Sequence, residues 1–525
     1  MRATRGAVAL ATGLLLTVSG CTSFGSTLAA ESAAGATTPS ATASATPEPS
    51  DADVDPIQLR DCTRQIQDLG VHDTRSLIFE CGYLDVPIDY AEKDSKTLPM
   101  FVLRVRSPQQ TDRIGSLVVN PGGPGGSGAE AVLGLAETLP EEVLARFDLV
   151  GFDPRGVGFS TPVECISAAE KDRYFAADPR PATPEQLKPV FDLYDEIAAG
   201  CAEKYGKALG AFDTVDTARD MDRLRASLGD EKLSYLGYSY GTTLGSTYAE
   251  LFPDRVRALV LDGAVDPDVD DDDVETQLAA QETAFDTFST ACTGLLAGCP
   301  IGPDPRAFLN DLLAQAATTP IPSSKAGETR TATPGIVMTA VLSALYDAGS
   351  WPQLNQALRA AKDGDAAGIF DLADAYTERL DDGTYTNLFD ALFTINCADT
   401  PQDGSASRAE ATKLAADWNT KYPLFGANAA AGLYLCTPWK AERTPLPDRD
   451  AEGSPPILVV GNSGDPVTPL PGAVDMAKDL ASGVLITWQG QGHTSYPKTT
   501  CITDAVDRYL IDLTVPQAGL VCPTF

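Results

Sequence analysis

Ser239 is the residue of this sequence with the clearest capacity for covalent chemistry. It lies at the centre of Gly237-Tyr-Ser-Tyr-Gly241, a G-x-S-x-G pattern between a predicted strand at 233–237 and a predicted helix at 240–251. A serine on such a strand–turn–helix junction presents its hydroxyl above the end of a sheet, and the glycines leave room for the turn. The helix behind it adds unpaired backbone N–H groups and a positive dipole end. The segment therefore predicts a serine nucleophile.

A serine nucleophile needs a base, and the base needs an acid to orient it. The chain contains two histidines, His72 and His493. His493 follows a predicted strand at 484–488 near the C-terminus, where hydrolases with this serine pattern place the base, whereas His72 precedes the first predicted strand of the sheet. Asp465 follows a predicted strand at 456–461 and completes the chain order Ser, Asp, His. The alternatives are a structural histidine and an Asp-Pro turn residue.

Acyl transfer also needs donors for the oxyanion that develops in the transition state. The backbone N–H of Tyr240, the residue after the serine, is the first candidate. The second should come from the glycine-rich segment 120–128, which follows a predicted strand at 116–120. Proline has no N–H, so the candidate in this segment is Gly123 or its neighbour Gly122. The segment lacks the lysine and the spacing of a phosphate-binding loop.

The elements that carry these residues alternate between strand and helix. The predicted strands are 83–88, 100–105, 116–120, 147–152, 233–237, 257–262, 456–461 and 484–488, and helices are predicted at 214–228 and 240–251. This alternation predicts an α/β fold with a mostly parallel sheet flanked by helices. It stops between about 263 and 454, where helical stretches such as 274–290, 305–316 and 335–347 indicate a large, mostly helical insertion before the strand that precedes Asp465.

The N-terminus reads as an export signal followed by a tether. Arg2 and Arg5 precede an apolar run that ends at Val18-Ser-Gly-Cys21, which resembles a bacterial lipoprotein signal at residues 1–20 with Cys21 as the lipidated residue. The alternative is an ordinary signal peptide with an incidental cysteine. Residues 21–55 form a Ser-, Thr-, Ala- and Pro-rich tether. We therefore expect an exported protein, lipid-anchored on the outer face of the cell membrane, with partial release to the cell wall or medium.

The remaining domain boundaries follow from the alternation of elements. Residues 56–265 form the N-terminal part of the core, 266–453 the insertion and 454–525 the C-terminal part of the core. The acidic run at 265–275 could bind Ca²⁺ or attract a cationic substrate, or it could be a solvated hinge that caps the next helix.

Composition excludes several classes of protein. The chain has 525 residues, 39 Lys+Arg against 73 Asp+Glu and a net charge of −34, which argues against binding to nucleic acid or to anionic lipid over a broad surface. A hydrophobic fraction of 43% supports a large core. No Cys/His cluster indicates a zinc site, so neither metal nor cofactor is expected. A monomer is expected.

The 11 cysteines fit an exported protein. Without Cys21 they form an even set, enough for five disulfides outside the cytoplasm. The sequence does not fix the connectivity. Pairing of sequence neighbours is the simplest hypothesis: Cys62–Cys81, Cys165–Cys201, Cys292–Cys299, Cys397–Cys436 and Cys501–Cys522.

Five motifs together carry a family resemblance. GGPGGSG at 122–128, FDPRGVGFS at 152–160, GYSYG at 237–241, GDPVTP at 464–469 and GHTSY at 492–496 resemble the prolyl-iminopeptidase-like serine peptidases, and above all their exported tripeptidyl-aminopeptidase-like branch in actinobacteria. The resemblance covers nearly the whole mature chain and implies an α/β-hydrolase sheet with a helical cap. It also implies release of short peptides from free N-termini. Pro121 replaces the histidine that proline iminopeptidases carry there, which is typical of the tripeptidyl branch and argues against strict release of single prolines.

Such a peptidase must bind a cationic amine at a fixed distance from the nucleophile, and carboxylates in the cap would do this. Asp399 is the candidate, because a disulfide at the neighbouring Cys397 could hold it rigid; the alternative is an ordinary surface acid. Two other functions stay open at this point. A carboxylesterase acting on lipid-like esters would use the same triad, and a non-catalytic, lipid-anchored binding protein would carry the same signal and tether.

Overall fold

The computed structural model describes residues 54–68, 71, 75–92, 94–181, 183–265, 271–401 and 404–524. Cys21 and the predicted signal, His72 and residues 266–270 of the acidic run lie outside these residues. The strands are β1 Arg60–Asp61, β2 Ile78–Pro87, β3 Thr97–Arg106, β4 Gly115–Asn120, β5 Phe147–Phe152, β6 Leu233–Tyr238, β7 Val256–Asp262, β8 Ile457–Gly464, β9 Gly483–Gln491 and β10 Leu520–Cys522.

Helices account for most of the remaining described chain. They are α1 Thr63–Asp68, α2 Gly128–Thr138, α3 Glu141–Arg146, α4 Ala168–Ala176, α5 Pro184–Tyr205, α6 Thr214–Ser227, α7 Tyr240–Leu251, α8 Asp271–Thr293, α9 Pro305–Thr318, α10 Pro334–Leu345, α11 Trp351–Lys362, α12 Ala367–Thr377, α13 Leu388–Asp399, α14 Arg408–Lys421, α15 Gly426–Gly432, α16 Leu470–Asp479 and α17 Thr500–Asp512. Within the described residues, no helix combines the length and the apolarity that a bilayer crossing requires.

All ten strands form one sheet in the order β1-β2-β3-β5-β4-β6-β7-β8-β9-β10. The pairs β1–β2, β2–β3 and β3–β5 are antiparallel. The pairs β4–β5, β4–β6, β6–β7, β7–β8, β8–β9 and β9–β10 are parallel. The mostly parallel α/β sheet predicted from the sequence is thereby confirmed. The antiparallel edge and β10 were not predicted as such, because these short or edge strands carry weak periodic signals.

Alternating side chains of the sheet enter two different cores. Leu117 and Val119 of β4 pack on the side covered by α2, α3 and α17, whereas Val118 between them packs on the side covered by α6, α7 and α16. This period of two is the geometry of a strand that is buried on both faces.

A third core belongs to a helical cap. The helices α8 to α15, between β7 and β8, bury side chains such as Phe285, Leu312 and Trp418 together. Phe191 and Ile197 of α5 belong to the same cluster. The cap is thus built from the insertion and from a second segment, 163–212, between β5 and β6, which the sequence prediction did not anticipate.

Five disulfides reinforce both layers. Three lie in the cap and two tie the edges of the sheet: Cys165–Cys201, Cys292–Cys299 and Cys397–Cys436 in the cap, Cys62–Cys81 and Cys501–Cys522 at the sheet. Each joins sequence neighbours. Such cross-links each contribute about 2–4 kcal/mol, mainly by restricting the unfolded chain.

Candidate active site

Ser239 occupies a strained turn between β6 and α7. Its φ of 54° and ψ of −126° are unusual for a residue with a side chain, and its N–H donates to the Asp262 carbonyl at 2.9 Å. A Cβ at Gly237 would lie 2.3 Å from the Gly241 carbonyl oxygen, so the turn closes only with glycine there. The side chain is 2% exposed. This is the geometry of a nucleophile elbow.

His493 and Asp465 form a buried hydrogen-bonded pair on the loops after β9 and β8. His493 Nδ1 lies 2.9 Å from Asp465 Oδ2 and 3.1 Å from Oδ1. The carboxylate also accepts the N–H groups of Val467 at 2.8 Å, Thr468 at 2.9 Å and Thr494 at 3.2 Å, and the Thr468 hydroxyl at 3.1 Å. An acid at Nδ1 leaves Nε2 as the basic nitrogen of the ring.

The donors around Asp465 decide its protonation. Burial alone would raise the pKa of this carboxyl, but the adjacent His493 and the backbone N–H groups of Thr468 and Val467 lower it below its usual value. Asp465 is therefore ionised at neutral pH and can stabilise a protonated imidazole.

Ser239 and His493 both lie next to the carboxyl end of β7. Asp262 accepts the Ser239 N–H, and a Cβ on the next residue, Gly263, would lie 3.2 Å from His493 Cε1. Ser239 Oγ and His493 Nε2 are both buried, and within the described residues neither has a hydrogen-bond partner. The two reactive atoms are thus uncommitted in this conformation. In substrate-free sites, catalytic hydrogen bonds are often long and tighten on binding.

The glycine-rich loop after β4 lies against the elbow. A Cβ at Gly122 would lie 2.9 Å from Ser239 Cβ and 3.1 Å from Tyr240 N. The Gly122 N–H already donates to Asn120 Oδ1 at 2.9 Å. Of the two glycines that the sequence left open, Gly123 is therefore the one with an N–H to offer beside that of Tyr240.

The cap reaches the base directly through Tyr346. Its carbonyl accepts the His493 N–H at 2.7 Å, and its ring packs edge-on against the imidazole at 5.2 Å. Asp347 bridges to Gly492 in the same strand-like contact. No sequence pattern indicated Tyr346, because its neighbours are helical and its contact with His493 spans nearly 150 positions of the chain.

His493 lines a cavity of about 710 Å³ between the sheet and the cap. Pro121 and Tyr238 lie on the sheet side, and Tyr346 and Tyr376 on the cap side. A volume of this size accommodates a peptide of a few residues. In the part of the chain that the structure describes, no group of three or more His, Cys, Asp or Glu side chains could hold a metal ion.

Asp399, at the end of α13, is linked to the elbow by two hydrogen bonds in series. The Thr214 N–H and hydroxyl donate to its carboxylate at 2.9 Å and 2.7 Å, and the same hydroxyl is bonded to the Tyr240 phenol. Burial and the nearby Asp213 raise the pKa of Asp399 to about 8. The carboxyl is partly buried at the cap–sheet boundary and is not an ordinary surface acid. Sequence reasoning missed Thr214 as a link, although it is recognisable as a residue at the start of a helix.

Comparison with known proteins identifies the family of the chain. A family model described as TAP-like protein matches residues 422–522. The chain is 38% identical over 455 residues to the serine protease Hip1 of Mycobacterium tuberculosis, covering 84% of this chain and 87% of the relative. It is 34% identical to carboxylesterase B of the same organism (84% and 86% covered) and 33% identical to a tripeptidyl aminopeptidase of Streptomyces lividans (84% and 83% covered). At this identity and coverage, the chain belongs to the tripeptidyl-aminopeptidase-like family of α/β-hydrolase serine peptidases.

Proposed function

We propose that this protein is an exported serine exopeptidase that releases short peptides, tripeptides foremost, from free N-termini. The observation that carries the proposal is the pair of buried reactive atoms, Ser239 Oγ and His493 Nε2, each without a partner among the described residues. They lie beside the His493–Asp465 hydrogen bond and the glycine-rich loop.

The roles of the residues follow from this arrangement. His493 Nε2 takes the hydroxyl proton as Ser239 Oγ attacks the peptide carbonyl carbon, and Asp465 stabilises the resulting imidazolium. The N–H groups of Tyr240 and Gly123 hold the oxyanion. The intermediate collapses when His493 gives its proton to the leaving amine, and water then hydrolyses the acyl-enzyme by the same sequence.

Asp399 supports recognition of a free N-terminus. Its carboxylate lies two hydrogen bonds from the elbow and is surrounded mainly by hydroxyl and amide donors and a like charge from Asp213. A substrate ammonium would add its positive charge to that of Arg449, which by itself leaves the pKa of Asp399 raised. The name of the Streptomyces lividans relative, a tripeptidyl aminopeptidase, agrees with this substrate class.

Export and anchoring are part of the proposal. The signal-like residues 1–20, Cys21 and the tether support a lipid-anchored protein on the outer face of the membrane. Five disulfides suit an oxidising compartment outside the cytoplasm.

Active-site labelling tests the nucleophile. A fluorophosphonate probe should label the wild type and fail to label Ser239→Ala, because only an activated serine reacts with it. Equal labelling of both proteins would remove Ser239 from the mechanism. Mass spectrometry of the products from a peptide library should then show tripeptides released from free N-termini.

A carboxylesterase is the second candidate, and the 34% identity to carboxylesterase B favours it. The triad alone does not separate esters from amides. Matched peptides with a free and an N-acetylated terminus decide between the two: equal turnover of both would leave the esterase and refute the aminopeptidase.

A further inference from the structure

Asp262, the last residue of β7, contacts both halves of the catalytic pair. Its main-chain carbonyl accepts the Ser239 N–H at 2.9 Å. Its carboxylate accepts the Ser495 N–H at 2.9 Å and the Tyr496 N–H at 2.7 Å, directly after His493. The side chain is completely buried. One residue therefore connects the elbow to the loop that carries the base.

The loop after His493 needs such support because of its backbone. Thr494 has a φ of 61°, a left-handed conformation that is rare for a β-branched residue. It persists only where surrounding contacts fix it. Asp465 accepts the Thr494 N–H at 3.2 Å, and Asp262 accepts the next two N–H groups. Two buried carboxylates thus accept three successive N–H groups. Of the two carboxylates, only that of Asp465 also bonds to the imidazole.

We propose that Asp262 is a positioning residue for the Ser239–His493 pair: its ionised carboxylate fixes the loop behind His493 at a set distance from the elbow. This inference rests on the proposed hydrolase function. Asp262 does not touch the substrate or the imidazole nitrogens. It acts through the backbone, and a displacement of about 1 Å between a base and its nucleophile lowers rates by about 100-fold.

The charge of Asp262 depends on pH within a useful range. Burial raises the pKa of its carboxyl to about 6, against the lowering effects of the Tyr496 and Ser495 N–H groups, the Lys498 ammonium and His493. Tyr238, on the neighbouring strand, is the other titratable group that faces it. The carboxylate therefore loses its charge as the pH falls through about 6, and with it the strength of both N–H contacts.

The free energy of unfolding should increase as the pH falls, whereas the positioning of His493 should weaken. An unfolded aspartate has a pKa of about 3.9, so the folded protein binds this proton more tightly than the unfolded chain does. Protonation of Asp262 thus stabilises the fold as the pH falls from about 6 to about 4. Acid should weaken the positioning of the base while this residue's contribution to stability increases. A purely structural carboxylate would move activity and stability together.

The test is Asp262→Asn, which has the shape of the protonated carboxyl. At pH 8 we expect a kcat about 100-fold below wild type with KM within about threefold, since only the arrangement of the reacting groups changes. The two kcat values should converge below about pH 6. Between pH 8 and pH 5, the difference in Tm should shift in favour of the wild type.

Asp507→Asn is the matched control. Asp507 is also buried, its pKa is also raised to about 6, and it accepts a hydrogen bond from the Tyr496 hydroxyl at 2.7 Å rather than from the loop backbone. We expect this variant to keep kcat within about threefold of wild type.

Two results would overturn the proposal. One is an Asp262→Asn enzyme with wild-type kcat at pH 8 and an unchanged acid limb. If the variant does not fold, the wild type decides alone: loss of the Asp262 charge predicts that kcat falls as the pH drops through about 6, and a wild-type kcat that is unchanged between pH 8 and pH 5 refutes the positioning role. Loss of fluorophosphonate labelling in Ser239→Ala tests the hydrolase itself, so failure of the two ideas is distinguishable.

Discussion

Two carboxylates, one in the sheet and one in the cap, respond to burial in opposite ways. Asp465, after β8, is fully enclosed, yet its pKa is lowered; Asp399, at the end of α13, has its pKa raised to about 8. Asp465 is buried and Asp399 is partly buried, so burial alone does not explain the difference. The neighbours do.

The loops at the end of the sheet surround the Asp465 carboxylate with hydrogen-bond donors. The imidazole of His493 and N–H groups from two loops surround it. Asp399 has the two donors of Thr214 and a favourable charge interaction with Arg449, and Asp213 repels it. In the proposed mechanism, the sheet therefore holds a carboxylate whose donors are already in place, whereas the cap holds a carboxyl that a cationic substrate would stabilise in its ionised form. Asp465 would thus serve the chemistry and Asp399 the recognition of substrate, and each residue can be substituted without the other.

The largest effect is expected from Asp465→Asn. An amide at this position removes the charge that stabilises the imidazolium and favours the wrong tautomer of His493, so kcat should fall by about 10⁴-fold. KM for a free tripeptide substrate should stay within about threefold, because the cap is untouched. Steady-state kinetics with a tripeptidyl amide measures both. A loss of less than about tenfold would assign the acid role to another residue.

Asp399→Asn should produce the next largest effect, and only on substrates with a free amine. Loss of one charged hydrogen bond to an ammonium, about 1.5–3 kcal/mol, predicts a decrease of about 10- to 150-fold in kcat/KM for the free peptide and almost none for its N-acetylated form. In the wild type, KM for the free peptide should fall as the pH rises from 6 to 7, because Asp399, whose pKa is raised to about 8, begins to ionise while the substrate α-amine is still protonated. The variant should lack this dependence.

Asp371 supplies the control for that experiment. It lines the cavity beside His493, is half exposed and pairs with Lys325 at 3.0 Å. Asp371→Asn should leave the preference for free amines unchanged, since an exposed ion pair contributes about 1 kcal/mol or less. If both variants lose the preference equally, the cavity attracts amines by its general charge and Asp399 has no specific role.

Residues marked by a local sequence pattern could be predicted, and residues that act through distant contacts could not. Ser239, Asp465 and His493 each follow a strand with a readable apolar run, and carboxyl ends of parallel strands meet at one edge, so pattern and chain order were enough to name them. Tyr346, Thr214 and Asp262 act through contacts with residues far away in the chain. No local pattern encodes those contacts. The second cap segment, 163–212, was missed for the same reason: its apolar faces pack on helices more than 70 positions away.

A smaller effect should follow from removing the disulfide next to Asp399. The bond Cys397–Cys436 ties α13 to the segment after α15. Cys397→Ala with Cys436→Ala should destabilise the protein by about 2–4 kcal/mol and reduce selectivity for the free amine about threefold, because Asp399 loses rigidity. The matched pair is Cys62→Ala with Cys81→Ala at the far edge of the sheet. The Cys62/Cys81 variant should lose stability without losing selectivity. Equal selectivity in both variants would refute the role of Cys397–Cys436 in holding Asp399.

The smallest expected effect is a dependence of stability on pH. The folded-state pKa of Asp399, about 8, lies far above the unfolded value of about 3.9, so folding takes up a proton between these values. The stabilisation from the protonated form is complete below about pH 4 and is lost as the pH rises to 8. Asp399→Asn cannot ionise, so its Tm should exceed that of the wild type at pH 9 by more than at pH 5. Thermal unfolding at both values measures this difference. An Asp399→Asn protein that is less stable than wild type at pH 9 would mean that the cap neutralises Asp399 by itself, as the sheet does for Asp465.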